Sequence, residues 1–267
     1  MDDIYKELNR LTWGSGEYER IAAFCLEAAE LLVDDADLHD EHRVLDVATG
    51  TGNVAVAAAQ RGAQVVAVDL TPEHFAVAER RAREAGVSVD WREGDAEQLL
   101  FPSDSFDRVF STFGAQFAPR NDVVARELYR VCVPGGVIGM CNWTPSGWTG
   151  RTADLIAGHF PPPPPYVQPA MEWGEVDRLA ALFEPLGGQV ETDLRSVRYT
   201  FPTVDEMIVY FDKYFGPWII GRTSVTPRGK WVDVLSELAD LTHSFDRGEG
   251  DSVVEAEYLR VLVRKAS

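Results

Sequence analysis

The chain has 267 residues and a formal net charge of −18, with 43 Asp and Glu against 25 Lys and Arg. That balance disfavours a nucleic-acid backbone or an anionic membrane surface, both of which recruit clustered basic side chains. The length fits one large domain, a hydrophobic content of 45% supports an ordinary core, and no window of about 18 residues is apolar enough for a membrane helix. The polar start, MDDIYKELNR, lacks the basic-then-apolar order of a secretory signal. Cys25, Cys132 and Cys141 are odd in number and widely spaced, which argues for a reducing compartment. We therefore expect a cytoplasmic protein that acts on a small molecule.

In chain order, Ile4, Leu8 and Leu11 have helical spacing, and the chain breaks at Trp13-Gly14-Ser15-Gly16. A second amphipathic helix follows, with Ile21, Phe24, Cys25, Ala28, Leu31 and Leu32 on one face. Trp13 and Tyr18 flank the flexible glycines and suit a lid over a ligand. The acidic connector 34–41 leads onward. His39 and His42 stand beside it with a metal-like spacing, but a solvated loop explains them better and no metal site is expected.

The organising stretch is Arg43 to Gly62. Val44, Leu45 and Val47 make a short buried strand, with Asp46 the one charge inside it. After Gly50 and Gly52 the chain enters a helix over Asn53–Gln60, capped by Gly62. The glycines permit torsions and close approaches that a side chain obstructs, beside the free N–H groups of a helix N-terminus. Gly50 to Ala55 also fits G-x-G-x-x-A, a weak signal alone, since a glycine turn can close such a junction without a ligand.

Gln64–Asp69 forms a second strand ending in an acid, where this kind of unit can bind both hydroxyls of a ribose. Thr71 as N-cap and Pro72 at the first position start a helix towards Gly86, with Arg80, Arg81 and Arg83 facing solvent. Val87, Val89 and Trp91 alternate as a third strand that ends at Gly94-Asp95-Ala96. Phe106–Thr112 is a fourth strand, followed by the Phe113–Phe117 loop, a helix over Asn121–Cys132, a turn at Pro134-Gly135-Gly136 and a fifth strand over Val137–Trp143. The alternation implies a parallel sheet covered by helices on both faces. Beyond it, Pro161–Pro165 is a stiff connector, Asp177–Leu186 helical, Val190–Phe201 a strand, Thr203–Phe215 a capped helix, Lys230–His243 a helix, and Glu255–Arg264 a last strand.

The runs VLDVATGTGN, VVAVDLTP, EGDAEQLLFPSDSFDRVFSTFGAQF and ELYRVCVPGG resemble, in order, the motifs of class I S-adenosylmethionine-dependent methyltransferases. The small-molecule group that includes the ubiquinone/menaquinone-biosynthesis type is the most similar in flavour. The resemblance covers about Arg43 to Trp143. It implies a Rossmann-like, doubly wound α/β fold with seven strands, mostly parallel with the last antiparallel, plus N-terminal helices and a helical insertion. It also implies S-adenosyl-L-methionine as cofactor. Asp46, Ala48, Gly50 and Gly52 match the motif around the amino-acid end of the cofactor, with Asn53 next to them. Ala48 stands where glycine is commoner, and its small side chain should not abolish binding. Asp69 matches the acid on the ribose, Leu70 the apolar neighbour of the adenine, Asp95 and Ala96 the pair at the adenine edge, and Ser111 to Phe113 the segment near the amino group. The absence of Lys and Arg from Val44 to Gln60 suits a cofactor without phosphate.

We therefore expect a single methyltransferase domain with a helical lid over 1–42, a cofactor-binding core over 43–143 and a substrate-side half over 144–267. The expected chemistry is O- or C-directed methyl transfer by in-line displacement to a small-molecule acceptor, in secondary or quinone-like metabolism, with a homodimer left open. Trp13, Tyr18, Gln116, Phe117, Trp143 and Tyr214 are the candidate acceptor residues, and the aromatics from Tyr199 to Trp218 could wall an apolar pocket. No general base declares itself, because His159 and His243 suit surface or structural roles better. Two alternatives stay open at this point: an NAD(P)-dependent oxidoreductase using the same glycine turn, and a protein of this fold that binds the cofactor without methyl transfer.

Overall fold

The computed structural model describes residues 2–225 and 229–267. Its centre is one sheet of seven strands: β1 (Arg43–Val47), β2 (Gln64–Asp69), β3 (Asp90–Glu93), β4 (Phe106–Thr112), β5 (Cys132–Trp143), β6 (Gly188–Phe201) and β7 (Ser252–Lys265). The spatial order is β3-β2-β1-β4-β5-β7-β6. The first five strands pair in parallel, while β7 runs antiparallel between β5 and β6. The expected antiparallel last strand is therefore present, inserted into the sheet rather than laid on its edge.

The two faces of β1 explain the doubly wound form. Val44 enters one core with Leu32, Val54 and Val65, whereas Leu45 and Val47 enter the other with Val109, Leu128 and Leu179. Alternation over a strand buried on both faces requires a helical layer on each side. Before β1 come α1 (Asp2–Trp13), α2 (Tyr18–Ala22) and α3 (Leu26–Asp35). The helices α4 (Asn53–Gln60), α5 (Phe75–Glu84), α6 (Asn121–Val131), α7 (Trp148–Ala157) and α8 (Val176–Phe183) cover the sheet and its end. The insertion between β6 and β7 holds α9 (Val204–Tyr214), α10 (Gly216–Val225) and α11 (Trp231–Phe245).

Several expectations need correction. The lid does not extend over 1–42: Leu32 and Val33 of α3 are fully buried in the core, so only α1 and α2 remain to cover anything. The second amphipathic helix is broken by a 3-10 turn at Ala23–Cys25, and Leu31 points outward. Ile4, Leu8 and Leu11 are likewise exposed. Thr71 makes no side-chain cap, because the helix begins with a 3-10 turn at Pro72–His74. Thr203 does cap α9, its Oγ1 accepting from the Glu206 N–H at 3.2 Å. Arg81 does not face solvent but donates to Thr51 O and Asn53 Oδ1, both at 2.7 Å. The third strand starts only at Asp90, and the Pro134–Gly136 turn is absorbed into β5 as a register shift against β4. The helices α7 and α10 were not foreseen.

The chain reverses direction in the sheet between β1 and β4, so the loops leaving those strands splay apart above the sheet and open a crevice. They nevertheless touch at one point: a Cβ built on Gly114 would lie 2.6 Å from both Ala48 Cβ and Ala48 O. Gly114→Ala should therefore force the two loops apart and lower stability by about 1–3 kcal/mol. Urea unfolding, with Gly250→Ala as the uncrowded control, checks this.

Candidate functional site

The crevice is built on two buried carboxylates. Asp69, at the end of β2, accepts from the Gly50 N–H at 2.7 Å through Oδ2 and from the Thr71 N–H at 2.8 Å through Oδ1. Asp46 accepts through Oδ2 from Thr49 Oγ1 at 2.6 Å and from the Ala55 N–H at 3.1 Å. Its Oδ1 is buried without a partner. Burial pushes the Asp46 carboxyl up to about 7 against the pull of those two bonds. Burial also raises Asp69, opposed by His74 and the two backbone N–H groups. His74 is itself lowered by burial, against the pull of Asp69.

The loop between these acids carries Ala48 at φ 55° and Gly50 at φ 53°. Ala48 thus holds a left-handed conformation that glycine would adopt without strain. A Cβ on Gly50 would come 3.2 Å from the Tyr18 ring, which lies across the turn. Gly52 differs from expectation: a Cβ there would strike the Trp91 indole at 2.7 Å, so this glycine accommodates β3 packing rather than a ligand.

A cavity of ≈ 90 Å³ follows the crevice, bordered by Ala48, Gly50, Asp69, Leu70, Asp95, Ala96 and Phe113 among the sequence candidates. Asp46, Gly52, Asn53 and Ser111 do not reach it. Asn53 Nδ2 donates to Ala22 O at 2.8 Å and so ties α4 to α2. Ser111 Oγ donates to Val47 O at 2.8 Å and accepts from the Ala115 N–H at 3.0 Å, which sets the loop after β4. All three polar residues, Asp46, Asn53 and Ser111, shape the backbone from behind.

The roof comes from α1. Lys6 pairs with Asp95 and, at 2.7 Å, with Glu97, while Asn9 Nδ2 donates to Phe117 O at 3.1 Å. Burial disfavours the Lys6 charge, but the two carboxylates outweigh it and raise its pKa. Glu97 is buried as well, yet Arg120 and Lys6 hold it below its usual value. Lys6, Asn9, His74 and Glu97 were missed from the sequence. Only the fold-back of α1 gives the first two a role.

Behind this crevice lies a second, larger cavity of ≈ 220 Å³ with an aromatic lining that includes Trp143, Trp148, Tyr199, Phe211, Phe215 and Trp218. Trp13, Tyr18, Phe113 and Phe117 border both cavities and form their common wall. Phe113, at φ 56°, stacks on Trp143 with centroids 4.0 Å apart. Two expected acceptor residues fall outside: Gln116 is fully buried, its Oε1 accepting from the Trp143 N–H at 2.9 Å, and Tyr214 packs against Tyr210 and Arg20. His159 pairs with Glu237, and His243 is exposed; neither borders a cavity.

Residues 44–136 match the family model described as a methyltransferase domain. The chain belongs to the class I S-adenosylmethionine-dependent methyltransferases. It is 38% identical over 260 residues to the uncharacterized protein Rv1403c of Mycobacterium tuberculosis, covering 96% of this chain and 94% of that one. It is also 38% identical over 124 residues to a demethylmenaquinone methyltransferase of Thermus thermophilus, covering 46% of this chain and 49% of that one. Among solved structures, the YcgJ protein of Bacillus subtilis superposes with a TM-score of 0.63 at 21% identity, covering 90% of this chain and 99% of that one. The methyltransferase therefore uses S-adenosylmethionine and acts on a small-molecule acceptor. Among the described residues no helix is long and apolar enough to cross a membrane.

The raised Asp46 carboxyl gives the methyltransferase a pH signature. A folded value of about 7 against an ordinary 3.8 means that its contribution to stability is complete below pH 4 and lost as pH rises through 7. Asp46→Asn can keep both accepted hydrogen bonds without a charge. The variant should gain on the wild type between pH 5 and pH 8, by up to about 4 kcal/mol. Melting curves across that range test this.

Proposed function

We propose that the ≈ 90 Å³ crevice holds S-adenosylmethionine and that the transferred methyl emerges at the wall shared with the aromatic cavity. The carrying observation is the donor set: buried acceptors, main-chain groups and no basic residue in the glycine turn. Asp69 would take the ribose hydroxyls, since each carboxylate oxygen can accept a second bond beside its backbone N–H. Leu70 would flank the adenine, with Asp95 and Ala96 at its edge. Asp46 would serve the amino-acid end indirectly, through the turn it holds by Thr49 and Ala55, with Ala48 and Gly50 at the crevice itself. Phe113 would close that end. The cofactor, once bound, supplies an already activated sulfonium methyl for in-line attack.

The chain's own residues then orient and exclude water. The helices α1 and α2 act as the lid, with Tyr18 across the glycine turn and Lys6 held on the acids beside the adenine position. The three buried free cysteines support a cytoplasmic setting, and the acidic surface supports an acceptor other than nucleic acid.

Calorimetric titration with S-adenosylmethionine, S-adenosylhomocysteine and NAD tests the cofactor assignment. The first two should bind and NAD should not. Asp69→Ala should weaken S-adenosylhomocysteine by about 10–100-fold, the cost of losing hydrogen bonds to a charged group. Unchanged affinity in a variant that still melts cooperatively would remove Asp69 from the ribose. Lys6→Ala should speed dissociation of S-adenosylhomocysteine in stopped-flow measurements, because α1 loses its pairing to Asp95 and Glu97.

A further inference from the structure

The aromatic cavity has a chemical character of its own. Its walls are rigid: Trp148, Tyr199 and Phe211 meet edge to face at 5.1–5.4 Å, and Phe211 meets Trp218 at 5.6 Å. Trp148 is fixed further by its Nε1, which donates to Thr242 Oγ1 at 2.9 Å. Among the described residues that line it there is no Asp, Glu, Lys, Arg or His. A charged guest would be desolvated there without a counter-charge, at a cost of several kcal/mol or more.

One polar atom in the lining stands apart. Thr149 Oγ1, in the first turn of α7, is buried without a hydrogen-bond partner. Its neighbour Thr152 is already committed, donating through Oγ1 to Thr149 O at 2.9 Å. An unpaired buried hydroxyl costs about 1–3 kcal/mol, which a guest oxygen recovers once the Thr149 side chain turns that buried atom toward the cavity.

We propose that this cavity is the acceptor site and that it selects an uncharged, flat, largely apolar molecule with one hydroxyl or carbonyl oxygen for Thr149 Oγ1. The inference rests on the cofactor assignment above, because the shared wall of Trp13, Tyr18, Phe113 and Phe117 is what brings the guest beside the methyl. The cavity contains no carboxylate or imidazole to remove a proton. The reacting atom is therefore an electron-rich carbon, nucleophilic while the guest stays uncharged. In the transfer, that atom donates its electron pair to the methyl carbon, the carbon–sulfur bond breaks and the sulfur keeps the bonding pair as a neutral thioether. Any proton on the reacting atom leaves to water.

The test uses four probes on the full chain. N-phenyl-1-naphthylamine, a neutral fluorophore, should bind at least 10-fold more tightly than its anionic relative 8-anilinonaphthalene-1-sulfonate, about 1.4 kcal/mol. Wild type should prefer 2-naphthol to naphthalene by about 2–12-fold, the net worth of one hydrogen bond. The near-isosteric Thr149→Val should erase that preference and leave naphthalene binding unchanged. Ala153→Trp, which fills the cavity, should lower affinity for both aromatics while S-adenosylhomocysteine binding persists. Saturating S-adenosylhomocysteine should not compete with 2-naphthol. Equal binding of the sulfonate, a preference surviving in Thr149→Val, or competition with S-adenosylhomocysteine would each overturn the inference. Normal S-adenosylhomocysteine binding with no probe binding would overturn this inference alone. Probe binding as expected with no S-adenosylhomocysteine binding would instead sink the cofactor assignment and leave the guest chemistry standing.

Discussion

Asp69 holds the loop after β1 by the Gly50 N–H and the loop after β2 by the Thr71 N–H, and the site depends on this double grip. A carboxylate buried this deeply is stabilised only by directed donors, so the donors and the acid fix one another. The same acid that shapes the glycine turn also borders the crevice. Asp46 repeats the logic one strand away, holding Thr49 and Ala55 while keeping one oxygen unspent. Both acids are thus committed to holding the loops that frame the crevice.

The second constraint is steric. Ala48 and Phe113 both hold left-handed torsions, and the loops they open meet where Gly114 has no side chain. Strain of this kind persists only where the surroundings enforce it. Here the stacking of Phe113 on Trp143 and the closeness of Ala48 to Gly114 enforce it from opposite sides. The result is a thin aromatic wall between a polar crevice and an apolar cavity. A wall of four side chains can align two dissimilar ligands end to end with little rearrangement, which is what a displacement reaction needs.

The helical insertion supplies the rest. The helices α9 and α10 contribute Phe211, Phe215 and Trp218, while α7 contributes Trp148 and Thr149. These elements lie outside residues 44–136, the part that matches the methyltransferase model. The aromatic cavity is thus lined mainly from outside the matched region, with Phe113 and Phe117 as its contribution from within.

The sequence by itself determined the succession of strands along the chain up to β5, the glycine turn and the acids at the ends of β2 and β3. Those features come from local signals: period-2 and period-3.6 patterning, glycines at positive φ, and charges placed at strand ends. It also indicated Thr203 as a cap and the last strand as antiparallel, the second through resemblance. Tertiary structure alone decided that Gly52 yields to Trp91, that Arg81 turns inward to Asn53, and that Lys6 returns across 89 residues to Asp95. It alone kept Gln116 and Tyr214 off the aromatic cavity and put Thr149 in its lining. Each of these outcomes depends on which distant surface a side chain meets. A helix such as α1, with Ile4, Leu8 and Leu11 left exposed, carries no pattern that announces its partner.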